Sequence, residues 1–397
     1  MARKQPSAAD TALIAAAAEY GVAPTPTQLE RWRAAGLLPR NQQHGAGRGR
    51  GSVSTTAPGT LDLVVWLTTH ARPGRRPDDV ALQAFAVGLP IPERTVRRAW
   101  LAAAATNTHL DAITEPLDAP EPGDRIAEAA EQVAATHGST SVLLPRRIRD
   151  IDARITAVGI PVALPELIPF DKGTYETEPY TSRDFTATAV TAYLGGTSEL
   201  TDLDLAAVAR AVVPTGATVP VASMLEYPDG NPPLADINDG AGLNLLPAGD
   251  ARTDLTRIIT EASLTQLRAA WDAVEELNRW AVSLCDTVEA ELDALDAGQP
   301  LADAPGLHQW FMGIAFSLNR ILLRQALLEP APPPKARVGT AVMLLFLATG
   351  MSRLQVMVPD AQFELLPDLL PPFLLHLAEL VAADLPASLR PSQQHAS

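Results

Sequence analysis

Between Thr253 and Leu295 apolar residues recur at Leu255, Ile258, Ala262, Leu267, Trp271, Val274, Leu277, Ala281, Leu284, Val288, Leu292 and Leu295. Steps of three and four place these side chains on one stripe of an α-helix. Gly298 and Pro300 stop the pattern, because glycine accepts a left-handed terminus and proline lacks the amide proton a helix needs. A stripe this long suits one arm of a helical hairpin or a coiled-coil seam between two chains. The Leu255–Leu295 helix is therefore the expected homodimer contact. Helices are also expected from about Ala304 to Leu328, Arg337 to Val358 and Ala361 to Leu385, the first two separated by Glu329–Lys335 (EPAPPPK).

The rest of the chain breaks at prolines and glycines. Helices are expected over Ala8–Tyr20, Pro26–Ala35, Thr60–His70, Pro77–Val87 and Pro92–His109. Arg40–Gly59 has no apolar period and reads as a loop or a short two-stranded wing. The acidic, proline-rich Glu115–Gly123 (EPLDAPEPG) reads as a semi-rigid spacer. Beyond it, helices are expected over Asp124–Thr136, Arg146–Val158 and Asp202–Val212, the last with Leu203, Leu205, Val208 and Val212 on one side. The Pro- and Thr-rich stretch between the last two also leaves room for short strands. The expected fold is mainly α: an N-terminal winged helix-turn-helix followed by a large, mostly helical C-terminal domain. The expected divisions are 8–110, a linker at 111–123, a mixed and mainly helical region at 124–250, an all-α dimerisation or partner-binding region at 251–386, and a disordered tail at 387–397.

Charge separates the two ends. Of 397 residues, the first 110 carry 13 Lys+Arg against 7 Asp+Glu, a net of +6. The remainder carries 18 against 39, a net of −21, which leaves the whole chain at −15. A basic module on an acidic body suits contact with phosphates at one end and repulsion of nonspecific contact elsewhere.

The N-terminal module has sharp local signals. Thr25-Pro26-Thr27-Gln28 forms a capping box with proline at the first helical position, and Gly36 followed by Pro39 ends the same helix. At about 100° per residue, Leu29, Trp32 and Ala35 share one side, where they can pack on Leu13, Ile14 and Ala17. Thr27, Glu30, Arg31 and Ala34 share the other. Two short helices joined through Gly21, the second with a polar outer face, fit the helix-turn-helix plan, in which the second helix enters the major groove of duplex DNA. Thr27, Gln28 and Arg31 are the expected contacts to base edges or nearby phosphates. Arg33 lies near the packed edge, where a structural role is expected. Arg40, Arg48, Arg50 and Ser52 belong to the Gly-Arg-rich segment that follows, where glycine permits close backbone approach and arginine releases counterions. Further arginines at 72, 75, 76, 94, 97 and 98 flank the later helices.

With these features in place, residues 8–105 resemble the N-terminal DNA-binding domain of MerR-type transcriptional regulators. The resemblance is carried by the short first helix, by Leu29-Glu30-Arg31-Trp32-Arg33-Ala34-Ala35-Gly36-Leu37-Leu38-Pro39, by the arginine-containing wing and by the helices after it. The family's usual Arg-Tyr-Tyr-Glu is here Glu30-Arg31-Trp32-Arg33, so the resemblance implies the helix position and the wing Arg50 but no target sequence. The family's metal-sensing cysteines are absent.

No catalytic constellation is legible. The seven histidines are scattered and the lone Cys285 rules out an internal disulfide and a thiolate metal cluster. No nucleophile elbow, phosphate loop or dinucleotide fingerprint is present. The Asp202/Asp204 and Asp236/Asp239 pairs read as solvated surface. Trp310, Phe311, Met312, Met343 and Met351 read as core, with lining of an effector pocket as the alternative. No secretory leader or membrane span is expected: the most apolar window, Gly339–Val358, is interrupted by Arg353.

The expected function is therefore that of a cytoplasmic, sequence-specific double-stranded DNA-binding protein, a transcriptional regulator and not an enzyme, with no cofactor or metal. A small effector or a protein partner is allowed on the C-terminal helices. Two alternatives stay open: an accessory factor of a mobile element or plasmid, and a helical scaffold that does not bind DNA.

Overall fold

A computed structural model of the chain describes residues 6–45, 52–72, 74–106, 121–137, 142–159, 180–195, 200–214, 251–299, 303–315, 317–357 and 370–383, with single positions at 219, 222, 223 and 226. The chain divides into two compact units, residues 1–111 with 332–339 and residues 112–331 with 340–397. Both are helical, and the described strands form one antiparallel pair.

The first unit contains α1 (Ala8–Glu19), α2 (Pro26–Ala34), β1 (Gln42–Gly45), β2 (Ser52–Thr55), α3 (Thr60–His70), α4 (Pro77–Ala86) and α5 (Glu93–Thr106). Its helices are short, and helices of this length are marginal in water alone. Burial of one face of each makes up the difference. Leu13, Ala17, Leu29, Trp32, Leu63, Leu67, Leu82 and Trp100 are at most 5% exposed and form the core. Phe85 of α4 meets Trp100 of α5 edge to face at 5.9 Å, which locks that helix pair.

The second unit contains α6 (Pro122–His137), α7 (Arg146–Val158), α8 (Ser182–Gly195), α9 (Asp202–Ala211), α10 (Ala251–Glu261), α11 (Leu264–Asp296), α12 (Pro305–Ala315), α13 (Ser317–Leu328), α14 (Pro334–Met357), which enters this unit at Thr340, and α15 (Pro372–Ala383). The 33-residue α11 is its axis, with α7, α12, α13 and α15 packed along it.

Several expectations change here. The stripe from Leu255 to Leu295 is two helices: Ser263 accepts a hydrogen bond from the Gln266 amide at 3.2 Å, and its own amide donates to Gln266 Oε1 at 2.8 Å. That capping box starts α11 afresh. Leu267, Trp271, Val274, Leu277, Ala281, Val288 and Leu292 are buried within one chain, so the face expected to pair two chains is already covered. The helix expected over Ala304–Leu328 is likewise two, α12 and α13. In α9, Leu203 is 63% exposed, and the buried line is Ala206, Ala209 and Val212, because small residues let the helix approach its neighbours closely. The unanticipated α8 follows a Thr-x-x-Asp capping box in which the Thr181 amide donates to Asp184 Oδ2 at 2.7 Å. Residues 138–141, 160–179 and 384–397, which include the expected tail, lie outside the described residues.

Long-range polar contacts set the register of the second unit. Arg147 bridges Asp286 and Glu289 at 2.5 and 2.6 Å, and Arg154 bridges Asp293 and Asp296 at 2.8 and 2.7 Å. The partners step by seven residues on both α7 and α11, so the two sets of ion pairs repeat in step along the helix pair. These groups are partly exposed and contribute to register more than to stability. Glu291 of α11 accepts the amides of Gly306 and Leu307 at 2.8 and 2.7 Å, capping the orphan donors of α12 from another helix.

Deeper inside, Asp152 of α7 accepts from Trp310 Nε1 at 2.9 Å and from Arg320 Nη2 at 2.5 Å. Arg320 Nε donates to the Val212 carbonyl at 2.9 Å, and its guanidinium stands 4.8 Å from the Trp310 ring centre. Arg320 is 1% exposed, so removing its counter-ion strands a buried charge. Asp152→Ala should therefore destabilise the protein by about 3–5 kcal/mol, measured by urea denaturation. Replacing both Asp152 and Arg320 by apolar residues should cost less than the single change.

Candidate nucleic-acid interface

The second helix of the first unit is built to be held from both ends. At its start, Thr25 Oγ1 accepts from the Gln28 amide at 3.2 Å, and Gln28 Oε1 accepts from the Thr25 amide at 2.7 Å. Pro26 occupies the first helical position, where no amide proton is missed. At its end, Gly36 takes φ +76°, and the Leu37 amide returns to the Trp32 carbonyl at 2.8 Å. The last carbonyls are met from α5: Thr95 Oγ1 donates to Gly36 O at 2.7 Å and Arg98 Nη2 to Ala35 O at 3.1 Å. Arg98 is itself held by Asp78 at 2.7 Å.

Leu29 and Trp32 face the core at 0% and 2% exposure, while Thr27, Glu30, Arg31 and Ala34 are exposed. The helix thus presents a polar strip to solvent on a rigid base. The side chains of Thr27 and Arg31 make no hydrogen bond or ion pair with another described residue, and neither does exposed Arg40. Gln28 differs. It is half-buried, and its carbonyl oxygen serves the cap, so only its amide group can serve an external contact.

The segment after α2 forms a ribbon, with Gln42 opposite Thr55, Gln43 opposite Ser54, His44 opposite Val53 and Gly45 opposite Ser52. Ser52 opens β2. Arg48 and Arg50 fall in residues 46–51, outside the described residues.

Four other arginines of this unit are committed internally. Arg75 donates to Gln83 Oε1 at 2.7 Å, Arg97 pairs with Glu93 and Arg98 caps α2. Arg33 serves two partners through one nitrogen, while its buried Nε has none among the described residues. Its Nη2 meets Asp10 Oδ1 at 2.5 Å and Asn41 Oδ1 at 3.0 Å, while Asn41 Nδ2 donates to Asp10 Oδ1 at 3.2 Å. Burial alone would raise the Asp10 pKa, but hydrogen bonds from Arg33, Asn41 and Ser7 and the Arg33 charge outweigh it and hold the carboxyl below its ordinary 3.8. Sequence reasoning placed Arg33 in a structural role but did not find Asp10, Asn41, Thr95 or Arg98. Their partners are far along the chain, and no local motif marks such contacts.

No metal-holding group of three or more His, Cys, Asp or Glu occurs among the described residues, and no single helix there is long and apolar enough to cross a membrane. Cys285 is buried, and burial pushes its thiol up to about 11. Trp310, Phe311, Met312 and Met351 are buried core residues. Comparison with protein-family models, curated proteins and solved structures finds no match.

Two measurements probe this geometry. A Cβ at Gly36 would sit 2.6 Å from Thr95 Oγ1 in a left-handed backbone, so Gly36→Ala should cost about 1–2 kcal/mol in chemical denaturation. Because the folded-state Asp10 pKa lies below the unfolded value, its contribution is present above pH 3.8 and lost as pH falls through the lower folded value. The stability gap between the parent and Asp10→Asn should therefore narrow on acidification through that range.

Proposed function

We propose that residues 8–106 form a winged helix-turn-helix that binds double-stranded DNA in a sequence-specific manner, and that the protein is a cytoplasmic transcriptional regulator. The observation that carries this reading is the exposed, uncommitted strip of Thr27 and Arg31 on a helix capped at both ends. Support also comes from the ribbon that follows it and from the net +6 of the first 110 residues against −21 in the rest. In this reading α2 lies in the major groove, with Thr27 and Arg31 toward base edges and the Gln28 amide group beside them. Arg40, Arg48 and Arg50 meet phosphates, and Ser52 supports the ribbon's approach to the backbone. The helical body serves dimerisation or partner binding. Two copies supply the base contacts that one small module lacks, and they pair through a surface other than the buried face of α11.

Duplex binding followed by gel shift or fluorescence anisotropy across a salt series tests the reading. Three arginines per copy at phosphates (40, 48 and 50) predict a log–log salt slope of about −2.7 per copy. Arg31→Ala should cost about 1–3 kcal/mol at one base position and relax specificity there, whereas Arg48→Ala should weaken all sequences alike. A missing or salt-independent shift would overturn the proposal.

A further inference from the structure

The Asp10–Arg33–Asn41 cluster ties together the ends of three consecutive elements. Asp10 lies in the first turn of α1, Arg33 in the last turn of α2, and Asn41 immediately before the first residue of β1. Arg33 and Asp10 side chains are 15% and 13% exposed, so their contact is shielded from competing water. Asn41 is bound in both directions: its oxygen accepts from Arg33 at 3.0 Å and its amide donates to Asp10 at 3.2 Å, with Ser7 Oγ at 3.4 Å. It is the last residue before the ribbon, and between it and the end of α2 the chain passes through Gly36 and Pro39. Leu37 and Leu38, 3% and 2% exposed, anchor that passage in the core. The ribbon thus leaves from a point tied to both helices.

We propose that Asn41 is a positioning residue: clamped between Asp10 and Arg33, it sets the angle at which the β1–β2 ribbon leaves α2, so that helix and ribbon meet the duplex as one unit. This inference rests on the DNA-binding reading above. It assigns Arg33, the second arginine of α2, to the clamp and not to DNA. The clamp pre-organises the ribbon, whose ordering would otherwise be paid for at the moment of binding.

The test uses the full chain and duplex DNA selected with the unaltered protein. If Asn41→Ala releases the ribbon, the contacts of Arg48 and Arg50 are lost and the slope falls from about −2.7 to about −0.9 per copy. Between 50 and 200 mM salt that is a loss of affinity of about 3.5-fold, in place of about 40-fold for the parent. The Arg48→Ala/Arg50→Ala variant should show the same slope, and adding Asn41→Ala to it should change nothing further. Far-UV circular dichroism and thermal midpoint check that each variant is folded at the assay temperature. The exchange Asp10→Asn/Asn41→Asp keeps one carboxylate and one amide beside Arg33, and should restore much of the slope that either single change removes. A parent slope retained in Asn41→Ala, or a loss that adds in full to that of the Arg48/Arg50 variant, would overturn the inference while leaving DNA binding intact. Absence of binding by the unaltered protein would overturn both.

Discussion

Helices of nine to fourteen residues do not hold themselves together in water, and α1 to α5 of the first unit are all of this length. Its architecture depends on how each short helix is completed by something outside itself. For α2 the completion is local at the start, where Thr25, Pro26 and Gln28 close the first turn, and tertiary at the end, where Thr95 and Arg98 meet the last carbonyls. The same requirement explains the division of its arginines. Arg33 is drawn inward and the exposed Arg98 is held as a structural donor, whereas exposed Arg31, Arg40, Arg72, Arg76 and Arg94 make no side-chain hydrogen bond or ion pair with another described residue.

The second unit solves the problem differently. The long α11 carries enough buried surface to serve as a common wall, and its neighbours are registered on it by charge. Arg147 and Arg154 read carboxylates at matching seven-residue steps, and Glu291 caps α12. Inside, Asp152 and Arg320 form an ion pair whose cost of burial is offset by the Trp310 indole and the Val212 carbonyl. Apolar patterning alone would allow α7 to slide along α11; the polar partners remove that freedom.

The functional reading and the clamp inference share one physical idea. A small DNA-binding module gains affinity when its contacting groups are fixed before binding, because ordering them afterwards cancels part of what the contacts contribute. The double cap fixes the strip that carries Thr27 and Arg31. The Asp10–Arg33–Asn41 cluster fixes the root of the ribbon. In the proposed function, the excess of carboxylates in the body opposes nonspecific approach to phosphate and confines contact to the basic end.

The sequence by itself determined the helices whose ends are written in local chemistry. The capping box at Thr25, the stop at Gly36 and the bounds of α7 follow from neighbours within a few residues, and so does the exposed face of α2, whereas between α2 and α3 local chemistry left a loop and a two-stranded ribbon equally open. Two local boxes, Ser263–Gln266 and Thr181–Asp184, also escaped that reading, and beyond them legibility ended where a contact spans the chain. The split of the long apolar stripe hinged on whether Ser263 caps or continues a helix, and periodicity runs through both outcomes. The use of that stripe as an internal wall, the exposure of Leu203, and the recruitment of Asp10, Asn41, Thr95 and Arg98 were decided only by tertiary structure. A side chain's burial and its partners depend on which distant surfaces fold against it, and no local spacing encodes that choice.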